Sequence, residues 1–130
     1  MKLTRGATYG TIKQPLIRSE VFALLGTHVH VTVDRPMGST HPQHPDLYYP
    51  INYGYIEGIK APDGDWQDAY ILGVTVPVEH FDGSVIAIIH RFDDVEEKWV
   101  VAPNGMHFTR DDIYRFVQFQ EQYFHVEIRI

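Results

Sequence analysis

The sequence predicts a mainly β domain of the α+β kind, a small meander or barrel with one C-terminal helix packed outside it. Three observations predict it. Short runs are rich in β-branched residues or alternate apolar with polar, turn-forming pieces separate them at regular spacing, and a single amphipathic stretch lies near the C-terminus.

Taken in order, His28 to Asp34, Asp68 to Val76 and Val85 to His90 read as strands, and Lys98 to Ala102 and His125 to Ile130 are shorter candidates. The turn-forming pieces are Arg35 to Pro45 with three prolines, Ala61 to Asp65, and Asp82 to Ser84 around Gly83. The helix opens at Thr109, whose hydroxyl can cap the first amides, while Asp111 and Asp112 sit well against the positive end of the dipole. Ile113, Phe116, Val117, Tyr123 and Phe124 then recur at helical spacing as its buried stripe, a core surface rather than a cofactor face.

Composition bounds the function. A chain of 130 residues is the size of one domain, spanning 1–130, and can bury roughly 65–70% of its unfolded surface. The apolar fraction of 44% beside 22% charged residues is that of a folded globule, not a disordered chain. No apolar run in Met1 to Ser19 has the length of a signal peptide and none elsewhere approaches a membrane span, so the expectation is a cytoplasmic protein with no membrane partner. Without cysteine there is no disulfide and no thiolate, and any metal must be held by oxygen or imidazole. The net charge of −6 argues against nucleic acid, whose phosphates call for clustered Lys and Arg.

The acidic surplus is uneven. Of 17 acidic residues, ten lie between Glu57 and Glu97, where the only basic residues are Lys60 and Arg91. Such a run is either a solvated face or a metal site. Its most pointed part is Asp63-Gly64-Asp65-Trp66-Gln67-Asp68. Alternate side chains of an extended segment share a face, so Asp63 and Asp65 can point together and the bend can bring Asp68 towards them. Oxygen ligands at this density suit Mg²⁺, which takes one or two carboxylates and keeps waters for substrate. A bare Asp-Gly-Asp is equally ordinary turn chemistry. The second acidic group, Asp93-Asp94-Val95-Glu96-Glu97, is closed by Lys98; with Arg35 and Arg91 it supplies the mix of acids and cations that metal-assisted phosphoryl transfer needs, or it is a charged hairpin tip. The histidines, His28/His30 and His41/His44 among them, lack metalloprotease spacing and read as surface or structural residues.

Two of these motifs stand in register with a known family. Tyr49-Pro50-Ile51-Asn52-Tyr53-Gly54-Tyr55-Ile56 followed by Asp63-Gly64-Asp65-Trp66-Gln67-Asp68 resembles paired elements of the family I soluble inorganic pyrophosphatases, over roughly Thr27 to Tyr123. Val33-Asp34-Arg35 resembles the family strand that supplies an arginine, and Val85 to Ala102 the strand pair that carries an acidic loop and a lysine. The resemblance implies an OB-like five-stranded β-barrel with helices outside. It implies Mg²⁺ as cofactor, with Asp63, Asp65, Asp68, Asp93 or Asp94, and Glu96 as metal ligands, and Asp65 as the base that takes a proton from the attacking water. Arg35, Tyr53, Lys98 and Tyr123 would grip the phosphates of a small-molecule substrate, pyrophosphate or a related phosphoanhydride, in a homo-oligomer. The departures are a short N-terminal region, Trp66 and Gln67 inside the signature, and Tyr123-Phe124 where the family ends its helix in Tyr-Lys. A changed substrate and a non-catalytic metal- or phosphate-binding module are the alternatives.

Overall fold

The computed structural model describes residues 18–94 and 96–130; the reading of the first segment as free of an export signal lies outside them for residues 1–17. Helix α1 (Arg18–Leu24) leads into β1 (His28–Arg35), β2 (Asn52–Lys60), β3 (Trp66–Ile71), β4 (His80–Arg91) and β5 (Glu97–Ala102). Helix α2 (Arg110–Glu121) and the short β6 (Val126–Arg129) follow. The strand order β1-β2-β3-β5-β4, with β4 pairing back onto β1, closes five strands into a barrel, and β6 extends it beside the end of β4. Among the described residues only β3 and β5 run parallel. Register shifts at Val33/Arg35, Ile56/Lys60 and Val85/Ala87 supply the local bends that a barrel this small requires.

The two-residue period of the strands sorts apolar side chains into two cores. Val29, Val31, Ile56, Ala69, Ile71, Val85, Ile88, Trp99 and Val101, from all five strands, fill one, and Val21 of α1 joins them. Their alternates Tyr70, Ala87, Ile89 and Val100 face the other way, where Ile113 and Val117 of α2 cover them. Strands β3 and β5 are thereby buried on both faces, which is why Val100 and Val101 follow one another with no polar alternation.

Several sequence expectations are corrected. Strand β2 was not foreseen, because its Asn, Glu, Lys and glycines hide the apolar alternation. Asp82 to Ser84 is strand, not turn: Gly83 pairs with Val29, and a Cβ there would stand 2.5 Å from both the Ala102 carbonyl and the Phe81 ring, so the glycine serves close approach. Strand β3 stops at Ile71 instead of Val76, just before Gly73, whose φ of +82° turns the chain out of the ladder. The helix start at Thr109 agrees, its hydroxyl accepting the Asp112 N–H at 3.1 Å. The stripe differs. Ile113 and Val117 are buried, but the next i+4 position is Glu121, while Phe116 is 42% exposed and edge-on to Phe108, and Tyr123 and Phe124 lie beyond the helix.

Gly54, in the Asn-Tyr-Gly-Tyr motif, pairs with Val33 where β1 crosses so closely that a Cβ would fall 2.0 Å from the Thr32 carbonyl oxygen. Backbone cannot yield as a side chain can. Gly54→Ala is expected to cost at least about 1–3 kcal/mol, read as a lower urea midpoint; an unchanged midpoint would show that the strands separate freely here.

Candidate active site

One mouth of the barrel opens into a cavity of about 780 Å³. Strand β1 contributes Asp34 and Arg35, β2 Tyr53, β3 Asp68, β4 Arg91 and β5 Lys98. The loop from His41 to Leu47 forms one rim, and Gln120, Tyr123 and Phe124 form the other. Neighbours in a strand normally point to opposite faces. Asp34 and Arg35 both reach the cavity because the register shifts between Val33 and Arg35.

Lys98 sits at the centre. Its Nζ is 2.7 Å from Asp68 Oδ2 and 3.1 Å from Glu96 Oε1, and stands 5.8 Å from the centre of the Tyr53 ring. Burial by itself would lower the ammonium pKa, but the charge of the Asp68 carboxylate and its hydrogen bond act the other way and the pKa stands raised, so Lys98 is a permanent cation. Burial also pushes the Tyr53 phenol well up, keeping it a neutral hydroxyl. Arg35 pairs with Asp34 at 3.2 Å, while its Nε is buried with no hydrogen-bond partner. Partial burial raises the Asp34 pKa against the pull of Arg35, and Asp68 adds to the rise.

Below them lies a polar chain. Arg91 donates from Nε and Nη2 to the two oxygens of Glu121 at 2.8 and 2.7 Å, and Tyr70 Oη donates to Glu121 Oε2 at 2.5 Å. Gln120 Nε2 donates to Tyr70 Oη at 2.6 Å, and Tyr49 Oη to Gln120 Oε1 at 2.9 Å. The Arg91 guanidinium sits over the Phe124 ring, with Cζ 3.8 Å from the ring centre.

The residues expected at the site are placed as follows. Arg35, Tyr53, Asp68 and Lys98 line the cavity, and Tyr123 stands on its rim, 69% exposed. Glu96 and Asp94 are not lining residues but pair with the lining cations, Asp94 Oδ2 lying 3.5 Å from Arg91 and its Oδ1 accepting the Glu96 N–H at 3.0 Å. Asp93 turns away, because its carboxylate accepts the His125 N–H at 2.6 Å; that bond first, and the His125 ring, hold its pKa below the usual range. Asp63 and Asp65 do not line the cavity. They stay in the exposed β2–β3 turn, where Asp63 Oδ1 accepts the Asp65 N–H at 3.0 Å and the turn is further tied by Ala61. The convergence of Asp63, Asp65, Asp68 and Glu96 is therefore reduced to Asp68 and Glu96. Among the described residues no three His, Asp or Glu side chains stand close enough to hold a metal ion. Two carboxylates still suit Mg²⁺, which completes its shell with water and phosphate oxygens.

Sequence reading missed Asp34, Tyr49, Gln120 and the rim histidines His41 and His44, whose rings lie 4.8 Å apart. It treated Arg91 only as a flanking charge. The one signal available was that Arg91 is the lone arginine within the acidic middle.

The fold has counterparts among solved structures. An inorganic pyrophosphatase from Ehrlichia chaffeensis superposes at a TM-score of 0.61 with 17% identity, covering 90% of this chain and 89% of that one. Inorganic pyrophosphatase from Helicobacter pylori gives 0.55 at 16% identity over 78% and 82% of the chains, and an inorganic phosphatase from Anaplasma phagocytophilum 0.52 at 19% over 78% and 81%. No family model matches the chain, and no curated protein matches it. The chain thus has the inorganic pyrophosphatase fold, the OB-like barrel that the motifs implied.

Phe124 could be taken as a lost cation to be restored, but its contact with Arg91 makes the opposite prediction. Phe124→Lys removes a cation–π contact worth about 0.5–2 kcal/mol and sets like charges together. The melting temperature is expected to fall by several degrees, and less at high salt; calorimetry showing no fall would mean the ring contributes nothing.

Proposed function

We propose that this protein hydrolyses inorganic pyrophosphate to two phosphates with Mg²⁺ as cofactor. The observation that carries the reading is the juxtaposition, in a barrel of the pyrophosphatase fold, of the cations Arg35 and Lys98 with the carboxylate Asp68 around one cavity, and of Glu96 paired with Lys98 beside it.

In this reading Arg35, Lys98, Tyr53 and Tyr123 bind the phosphates. Arg35 is suited to it because its buried Nε lacks a partner that a phosphate oxygen would provide. Asp68 and Glu96 hold the metal, with Asp94 the nearer of the Asp93/Asp94 pair. The ion, when bound, supplies Lewis acidity towards the phosphate oxygens and lowers the pKa of water beside it. A water oxygen bonds to one phosphorus, the bridging P–O bond breaks, and Lys98 and Arg35 stabilise charge on the departing phosphate. In this reading Asp65 accepts the water's proton and Asp63 assists the metal shell, although both carboxylates stand in the β2–β3 turn outside the cavity lining. The protein acts in the cytoplasm as a homo-oligomer on a small-molecule substrate. No helix among the described residues is long and apolar enough to cross a membrane, and the acidic balance disfavours nucleic acid.

A second reading, hydrolysis of a larger phosphoanhydride, is favoured by the cavity itself. It continues past the cations to His41, His44, Leu47 and Tyr123, which leaves space for a substituent that pyrophosphate lacks.

Phosphate release from pyrophosphate, with Mg²⁺ or with chelator, tests the first reading. Wild type should turn over only with the metal. Asp65→Asn should lose about 10²–10⁴ in rate with its melting temperature unchanged, and Lys98→Ala should raise KM and lower kcat together. Full activity in Asp65→Asn removes that residue as the base. A wild type inert on pyrophosphate but active on a nucleoside triphosphate selects the second reading, and inactivity on both rejects catalysis.

A further inference from the structure

We infer that Arg91 is an anion-binding residue of this cavity, presenting its Nη1 edge to a phosphate oxygen, and that Glu121, Tyr70 and Phe124 are the residues that position it. The inference rests on the reading of the cavity as a phosphate site and gives a specific contact to a cation that the sequence placed only among those flanking the acidic clusters and that the resemblance did not assign.

The guanidinium is committed on three sides. Nε and Nη2 are spent on Glu121, and Phe124 covers one face at 3.8 Å. Glu121 cannot swing to release them, because the same carboxylate also takes the Tyr70 hydroxyl, itself fixed by Gln120 and, behind it, Tyr49. Only Nη1 remains. Its neighbours are Asp94 Oδ2 at 3.5 Å and Glu96 Oε1 at 3.8 Å, both long for hydrogen bonds, so this donor is held at the cavity wall without a close acceptor.

Stability alone is a poor account of this arrangement. A buried ion pair can commonly be exchanged for apolar residues with no loss, because desolvation offsets the attraction. What the fork does provide is direction. Five donors in a rigid plane, two sides anchored, leave one edge aimed where a planar or tetrahedral oxyanion can meet it. The partners of Nη1 fit the same purpose. Glu96 and Asp94 are carboxylates that a divalent cation can draw away, and Nη1 is then free for the anion that arrives with the metal.

The test is calorimetric titration of the Mg²⁺-loaded protein with methylenediphosphonate, a diphosphate analogue that cannot be cleaved at its bridge. In the double variant Arg91→Met/Glu121→Gln no buried charge is left unpaired, and circular dichroism checks its fold. Affinity should fall about 10- to 100-fold, the usual consequence of losing one charged hydrogen bond. Glu121→Gln alone keeps the cation but loosens its aim. It should weaken the analogue less than the double variant and raise KM for pyrophosphate more than it lowers kcat. A folded double variant binding within about two-fold of wild type overturns the inference and leaves the phosphate reading standing. Should the variants fail to fold, the Arg91 guanidinium ¹⁵N resonance of the wild type decides: a shift on saturation with the analogue supports the contact, and no shift refutes it. No affinity of the wild type for the analogue would overturn the phosphate reading and this inference together.

Discussion

A carboxylate shut away from water is tolerable only when its charge is met where it sits, and Glu121, with 0% of its surface exposed, imposes that condition on the rest of the molecule. Arg91 of β4 meets it with a two-pronged fork and Tyr70 of β3 with a hydroxyl. Those bonds tie the end of α2 to two barrel strands at once. Ile113 and Val117 supply the apolar part of the same docking, but apolar contacts alone could slide, whereas the fork admits one register. Breaking such a pair by removing one partner typically costs about 3–5 kcal/mol. The position of α2, the placing of Phe124 after it and the shape of one cavity wall all follow.

The cations beside Arg91 are organised by the same logic with shorter reach. Lys98 is clamped by Asp68 and Glu96, and Arg35 by Asp34, so these two cations, unlike Arg91, are held by carboxylates that are themselves partly exposed. An anion alone would have to compete with those carboxylates. A divalent cation that engages Asp68 and Glu96 would lift the competition and leave Lys98 for the anion. Metal and phosphate would then each improve the site for the other, which is the coupling expected of a centre working on a metal-complexed diphosphate.

Legibility in the sequence followed how local each signal is. The helix start was readable because Thr109 and the acids after it act within one turn, and β1, β4 and β5 because β-branched runs betray buried strands. Strand β2 was not, since Asn52, Gly54 and Glu57 are there for hydrogen bonds to the Met37 and Val76 backbone, a strand crossing and solvent. Gly83 misled because glycine marks both turns and close approaches, and only the partner strand distinguishes them. At the site, Arg35, Tyr53, Asp68 and Lys98 were placed by motif and stand at the cavity. Asp63 and Asp65 share that motif yet lie outside it, because a turn uses an aspartate for its own N–H before it offers one to a metal. Asp34 required the bulge beside Arg35, and Arg91 required knowing that Glu121, thirty residues on, faces it. Neither contact leaves a trace in local pattern.

The central claim is that one cavity gathers metal carboxylates and phosphate cations into a single centre. A crystal structure with Mg²⁺ and methylenediphosphonate tests it most directly. The account predicts the two phosphoryl groups among Arg35, Lys98 and Arg91, with the metal between them and Asp68 and Glu96. An analogue bound away from this cavity, or a metal held at the β2–β3 turn while Lys98 keeps both its carboxylates, would contradict it.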